Sequence, residues 1–143
     1  MRTELIRQLK GDEGVIPHAY QDHLGFWTIG VGRLIDKRKN GGLRPDEISY
    51  LLNNDIDDRI NELNKRLPWF QNLDDARKGV LLNMSFQLGV EGLLGFVNTL
   101  KLIEAGKYEN AAHAMLQSKW AKQTPQRAER MAEQMRTGLW QYA

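Results

Sequence analysis

The sequence predicts an α+β fold, mostly helical, in which a small β-sheet lobe and a helical lobe are joined by a long helix. Three observations carry this. Residues 17–35 are rich in aromatic, β-branched and Gly residues, the composition of a hairpin or a small three-stranded sheet. Ile48, Leu52, Ile56, Ile60, Leu63 and Leu67 then hold one apolar stripe at helical spacing for about five turns. From residue 74 onward the helical period recurs in shorter segments. The chain reads as a single domain, 1–143, with a β-containing lobe at about 13–58. Its helical lobe is expected at about 59–143, together with an N-terminal helix at 1–12.

Each element has its own signal. Leu5, Ile6 and Leu9 make residues 3–12 a short amphipathic helix, which Gly14 stops. Asp22 to Gly25 supplies the turn inside the β segment, and Lys37 to Gly42 is a loop. Pro45 followed by Asp46 and Glu47 suits the first turn of the long helix. Asp74 or Asp75 caps a helix with the stripe Val80, Leu81, Met84 and Leu88, ended by Gly89. Shorter helices follow near 96–105, 108–117 and 125–135, the last opened by Thr124 as cap and Pro125 in its first turn. Trp120 and Trp140 are expected in the helical core.

Composition excludes several chemistries. The 143 residues are 41% hydrophobic and 27% charged, a globular rather than a disordered balance. With no Cys there is no disulfide, thiolate metal site or Cys nucleophile. Three His without ligand spacing argue against a metal, and no cofactor is expected. Gly30-Val31-Gly32 lacks the third Gly and the following helix of a dinucleotide fingerprint. No apolar run has the length of a signal peptide or membrane span, so cytoplasmic synthesis without stable membrane insertion is expected. Net charge is +2, but residues 119–136 hold five Lys and Arg against two Glu. Such a face suits an anionic polymer, and equally an ordinary solvated helix.

Three side chains could carry chemistry. Glu13 closes the first helix, where the negative pole of the macrodipole disfavours a carboxylate, and burial would add to this. A protonated Glu is what a general acid requires. Asp22 lies in the turn of the sheet. Thr28 alternates with Trp27, Ile29 and Val31, so if those face the core its hydroxyl faces the open side. Singly, each has a plain explanation: a solvated helix end, an Asx-turn, a residue that suits strands. Together, a carboxylic acid, a carboxylate and a water-orienting hydroxyl are the parts for cleaving a glycosidic bond.

Glu13-Gly14, Tyr20-Gln21-Asp22 and Gly25-Phe26-Trp27-Thr28-Ile29-Gly30-Val31-Gly32 resemble the active-site region of the phage-type lysozymes, glycoside hydrolase family 24, in particular the T-even type. The resemblance continues through Asn83–Gly89, Gly95–Asn98, Ser118–Ala128 and Arg136–Trp140, nearly the whole chain. It implies a lysozyme-like two-lobed fold and a muramidase that hydrolyses, with inversion, the β-1,4 bond between N-acetylmuramic acid and N-acetylglucosamine. By position, Glu13 matches the general acid, Asp22 the second carboxylate and Thr28 the hydroxyl that holds the attacking water. Leu34, Phe86, Gln87 and Thr99 match positions that bind saccharide.

The resemblance also implies a partner, bacterial peptidoglycan, with no nucleic acid and a monomeric chain. It implies an endolysin-type role in host lysis, reached from the cytoplasm after holin-type release or by injection. Departures from the pattern are specific. The loop at 36–44 is short, Leu24 replaces an acidic residue, and Ala114 replaces a saccharide-contacting Asn. Arg33 stands at a His position, and an Arg33–Asp55 pair is expected to replace the family's His–Asp pair. Two other readings stay open: a non-catalytic wall-binding or virion-associated protein of the same fold, and a nucleic-acid binder using 119–136.

Overall fold

The computed structural model describes residues 1–143. The elements run α1 (Arg2–Glu13), β1 (Ile16–Gln21), β2 (Trp27–Gly30), β3 (Arg33–Leu34) and α2 (Pro45–Arg66). Then come α3 (Asp75–Leu94), α4 (Val97–Glu104), α5 (Tyr108–Leu116), α6 (Lys119–Gln123) and α7 (Pro125–Thr137). The fold is α+β and mostly helical, with one three-stranded antiparallel sheet in the order β1-β2-β3. The chain divides into two compact units, Met1–Leu52 and Asn53–Ala143, and α2 runs through the division. The division falls earlier than the expected 58/59, and α1 clusters with the sheet rather than with the later helices.

In the first unit, Gly14 ends α1 at φ 80, its N–H bonding to Lys10 O at 3.1 Å. The strands pair Tyr20 with Thr28, and Thr28 with Leu34. Gly30 and Gly32, at φ 71 and 64, make the turn between β2 and β3, so the Gly-Val-Gly run is a hairpin device. The loop after β3 contains a single 3₁₀ turn, Lys37–Lys39, and closes on itself: Gly41 N–H donates to Asp36 O and Gly42 N–H to Leu34 O, both at 3.1 Å. None of α1 is buried; Leu5, Ile6 and Leu9 are exposed, as are Ile48 and Leu52 of the α2 stripe. The apolar stripe of α2 becomes buried only at Leu63, inside the second unit.

The second unit owns the hydrophobic core. Leu63, Phe70, Leu81, Met84, Leu93, Ile103, Met115 and Met135 are almost wholly buried. Asp74 caps α3 by accepting from Arg77 N–H at 3.2 Å. Gly89, at φ 74 and ψ 164, kinks α3 instead of ending it, because continuing the helix buries Val90 and Leu93. Sequence reading missed α6, which Ser118 caps by accepting from Ala121 N–H at 3.2 Å. Thr124 does not cap α7: its hydroxyl donates to Trp120 O at 3.0 Å, and Pro125 opens the helix unaided. Trp120 is buried as expected, but Trp140 is half-exposed, its ring lying where a Cβ on Gly79 would be.

Candidate active site

All three candidate catalytic side chains belong to the first unit. Glu13 is the last residue of α1 and is exposed rather than buried. Its carboxyl group lies over the β2–β3 turn: a Cβ on Gly32 would stand 2.6 Å from Glu13 Oε2. Gly32 is demanded by its positive φ, and any side chain there would also push the exposed acid aside.

Asp22 is fixed as an Asx-turn. Its Oδ1 accepts from Leu24 N–H and Phe26 N–H, each at 2.9 Å. Its backbone accepts from Gly25 N–H and donates to Phe26 O, again at 2.9 Å. These bonds use Oδ1 and leave Oδ2 to act. The plain structural role and the chemical one thus sit on different oxygens of one carboxylate.

Thr28 corrects an expectation. Thr28 is the buried residue of β2, only 3% exposed, while Trp27 and Val31 are exposed and Ile29 is half-buried. Its hydroxyl donates to Phe26 O at 3.0 Å, which leaves Oγ1 free only to accept. Leu34 is its cross-strand partner on β3.

The remaining saccharide candidates lie in the second unit. Phe86 is exposed on α3 with the Arg59 guanidinium 5.2 Å from its ring centre. Gln87 accepts from Trp120 Nε1 at 2.8 Å, which fixes its amide and leaves the NH₂ end to donate elsewhere. Thr99 is buried on α4. It lines an open depression of about 620 Å³ with Asn98, Ala114, Gln117, Trp120 and Gln123. Through Trp120, Gln87 and Thr99 flank one surface feature, in which Ala114 also lies.

Electrostatics in the first unit centre on two ion pairs that sequence reading missed. Arg33 pairs with Glu47, not with Asp55 as expected; its Nη1 reaches Glu47 Oε2 at 2.7 Å and Nη2 also reaches Gly42 O at 3.2 Å. The Arg33 bond, with further help from Arg44 N–H, lowers Glu47 from its ordinary 4.5 to about 2. Glu47 lies in the first turn of α2, so the partner nearest in fold to Arg33 was already marked as a helix-start acid. Asp36, 6% exposed, is bound by the Arg38 side chain, which holds its carboxyl well below the usual carboxylate range. Asp two residues before a basic side chain in a tight turn was the available signal. No group of three or more His, Asp or Glu has the geometry to hold a metal ion.

Comparison with known proteins decides the family. Residues 10–137 match the family model described as phage lysozyme. The chain belongs to the phage lysozyme family. Two proteins of Dictyostelium discoideum, probable T4-type lysozymes 1 and 2, are each 33% identical to this family member over 164 residues, covering 96% of it and 96% of each relative. The pre-baseplate central spike protein Gp5 of Enterobacteria phage T4 is 30% identical over 159 residues, which cover 94% of this lysozyme-family chain but 28% of Gp5. No single helix of the chain is long and apolar enough to cross a membrane.

Proposed function

We propose that this chain is a muramidase that hydrolyses the β-1,4 bond between N-acetylmuramic acid and N-acetylglucosamine in bacterial peptidoglycan. The observation that carries this reading is the Glu13 carboxyl lying over the β2–β3 turn, in the same unit as an Asx-turn carboxylate with one oxygen uncommitted and a hydroxyl left only to accept. In the reaction Glu13 gives its proton to the leaving glycosidic oxygen as oxocarbenium character develops at the anomeric carbon. A water donates one hydrogen to Thr28 Oγ1 and the other to Asp22 Oδ2. Its oxygen attacks the anomeric carbon from the opposite face while Asp22 takes the proton, which gives inversion. Solvent then returns a proton to Glu13 and removes one from Asp22.

Phe86, Gln87, Thr99 and Leu34 are the saccharide contacts of this reading. The basic face of 119–136 favours encounter with anionic wall polymers, an attraction that salt screens. The physiological role is host lysis by a monomeric endolysin, made in the host cytoplasm and brought to the wall by holin-type release or by injection. The family match supports the lysozyme activity on which that role rests.

The test incubates the wild type, Glu13→Gln and Asp22→Asn with peptidoglycan and follows new reducing ends and their anomeric configuration. Release of inverted product by the wild type is expected, with Glu13→Gln slower by about 100-fold or more. Wall binding by the wild type without release of reducing ends would make the chain a non-catalytic relative.

A further inference from the structure

We propose that Asp36 and Arg38 form a clamp that positions Asp22 and Thr28 through Phe26, making both of them positioning residues for the reaction. This inference rests on the muramidase reading above. It starts from an anomaly of the first unit, in which the only well-buried charged side chain, Asp36, lies in the short loop after β3 rather than among the candidate catalytic groups.

Asp36 makes an acceptor of itself in three directions. Its Oδ1 caps the 3₁₀ turn through Arg38 N–H at 2.9 Å. Its Oδ2 takes Trp27 N–H at 3.2 Å, one residue before Thr28. That bond extends the β2–β3 ladder by one rung, since Ile35 N–H already donates to Trp27 O at 2.9 Å. Both carboxylate oxygens also receive the Arg38 guanidinium, through Nε at 2.9 Å and through Nη2.

Held in this way, Arg38 reaches the turn that leads into β2. Its Nη2 donates to Gly25 O at 3.0 Å, and its guanidinium lies 4.9 Å from the centre of the Phe26 ring. Lys39 Nζ lies 4.7 Å from that same ring centre. Phe26 is the residue on which both candidate groups depend. Its N–H binds Asp22 Oδ1, and its carbonyl receives the Thr28 hydroxyl. The clamp therefore grips the ring and the preceding carbonyl of the one residue whose main chain sets both side chains.

The physical consequence is positional. A lost guanidinium frees the 25–26 peptide to move, and displacement of about an ångström at reacting groups is worth up to about 100-fold in rate. Substrate contacts outside this turn are left alone, so the loss belongs to turnover and not to affinity. Arg serves here better than Lys, because its planar fork grips both carboxylate oxygens at fixed angles while still donating to the Gly25 carbonyl.

The experiment measures kcat and KM on soluble, uncross-linked peptidoglycan strands for the wild type, Arg38→Met, Arg38→Lys and the surface control Lys65→Met. Amide exchange at Leu24 and Phe26, the two donors to Asp22, is read in parallel. Arg38→Met should lower kcat by about 10- to 100-fold, leave KM within about twofold, and speed exchange at both amides. Added ethylguanidinium should restore part of the rate, and Lys65→Met should match the wild type. Wild-type kcat in Arg38→Met, or full recovery in Arg38→Lys, overturns the clamp. A fall in kcat without faster exchange overturns it as well. An inactive wild type whose Leu24 and Phe26 amides still exchange faster in Arg38→Met sinks the muramidase reading while leaving the clamp's hold on the turn intact.

Discussion

Gly30 and Gly32 flank one residue of the same turn and share a positive φ, yet their side-chain space differs completely. A Cβ on Gly30 meets nothing within 4 Å, whereas one on Gly32 meets the Glu13 carboxyl at 2.6 Å. Alanine at either position carries the strain of a left-handed backbone, about 1–2 kcal/mol. Only Gly32→Ala also displaces the acid. Both variants should therefore lose similar stability in urea titrations, while Gly32→Ala alone loses about 10-fold or more in reducing-end release. Equal activity in the two would show that the contact between Gly32 and Glu13 does not matter to the reaction. The same scale shows what sequence could and could not give. Glu13, Asp22 and Thr28 were readable as residue types, and Asp22 does make the Asx-turn its position suggested. The phase of β2 was not readable, because Trp27 and Val31 look like core residues and only the structure shows them exposed.

At the scale of elements, the loop and the start of α2 are secured by charge. Arg33 is bound to Glu47, and the lowered Glu47 pKa fixes a sign. A carboxyl lowered from 4.5 to about 2 by folding contributes stability that is fully present above 4.5 and is lost as the pH falls towards about 2. Asp36 acts in the same direction. Trp27 is the one Trp among residues 1–52, so the resonance of fluorinated Trp27 reports on this unit. It should shift between pH 4.5 and about 2, and Glu47→Gln should flatten part of that change. A shift confined to higher pH would mean that other groups govern the loop. The sequence could name Glu47 as a helix-start acid but not as the partner of Arg33, since a one-dimensional reading placed Asp55 there by analogy. Helix boundaries were legible wherever Pro or Gly marked them. Gly89 was legible only as a break, because whether a helix resumes depends on what the next turn can bury.

For the whole molecule, the apolar core lies entirely beyond residue 52. The first unit buries only Thr28 and Asp36. A unit without an apolar centre lacks the main favourable term in folding, whereas the second has a cluster running from Leu63 to Met135. A fragment of residues 53–143 should thus show a cooperative helical melt by circular dichroism, and a fragment of residues 1–52 should show none. A folded 1–52 fragment would mean that polar contacts suffice. Within the second unit, Leu63 is 0% exposed, so Leu63→Ala should cost about 2–5 kcal/mol, a range that draws on leucine truncations in a T4-type lysozyme. The stripe that predicted α2 was right about the helix but reads as core over only half its length. Periodicity reports which face is apolar and says nothing about whether a neighbour covers it.

The main chain at Phe26 has a consequence for how this site can change over generations. Asp22 and Thr28 both lean on that single residue, one through its N–H and the other through its carbonyl. Neither group can be re-aimed by mutation without disturbing the other, so the pair is inherited as a unit. The aromatic ring in turn is held by the Arg38 and Lys39 cations. A library that explores new specificities should therefore leave both the path of residues 22–28 and the cations that hold the ring untouched.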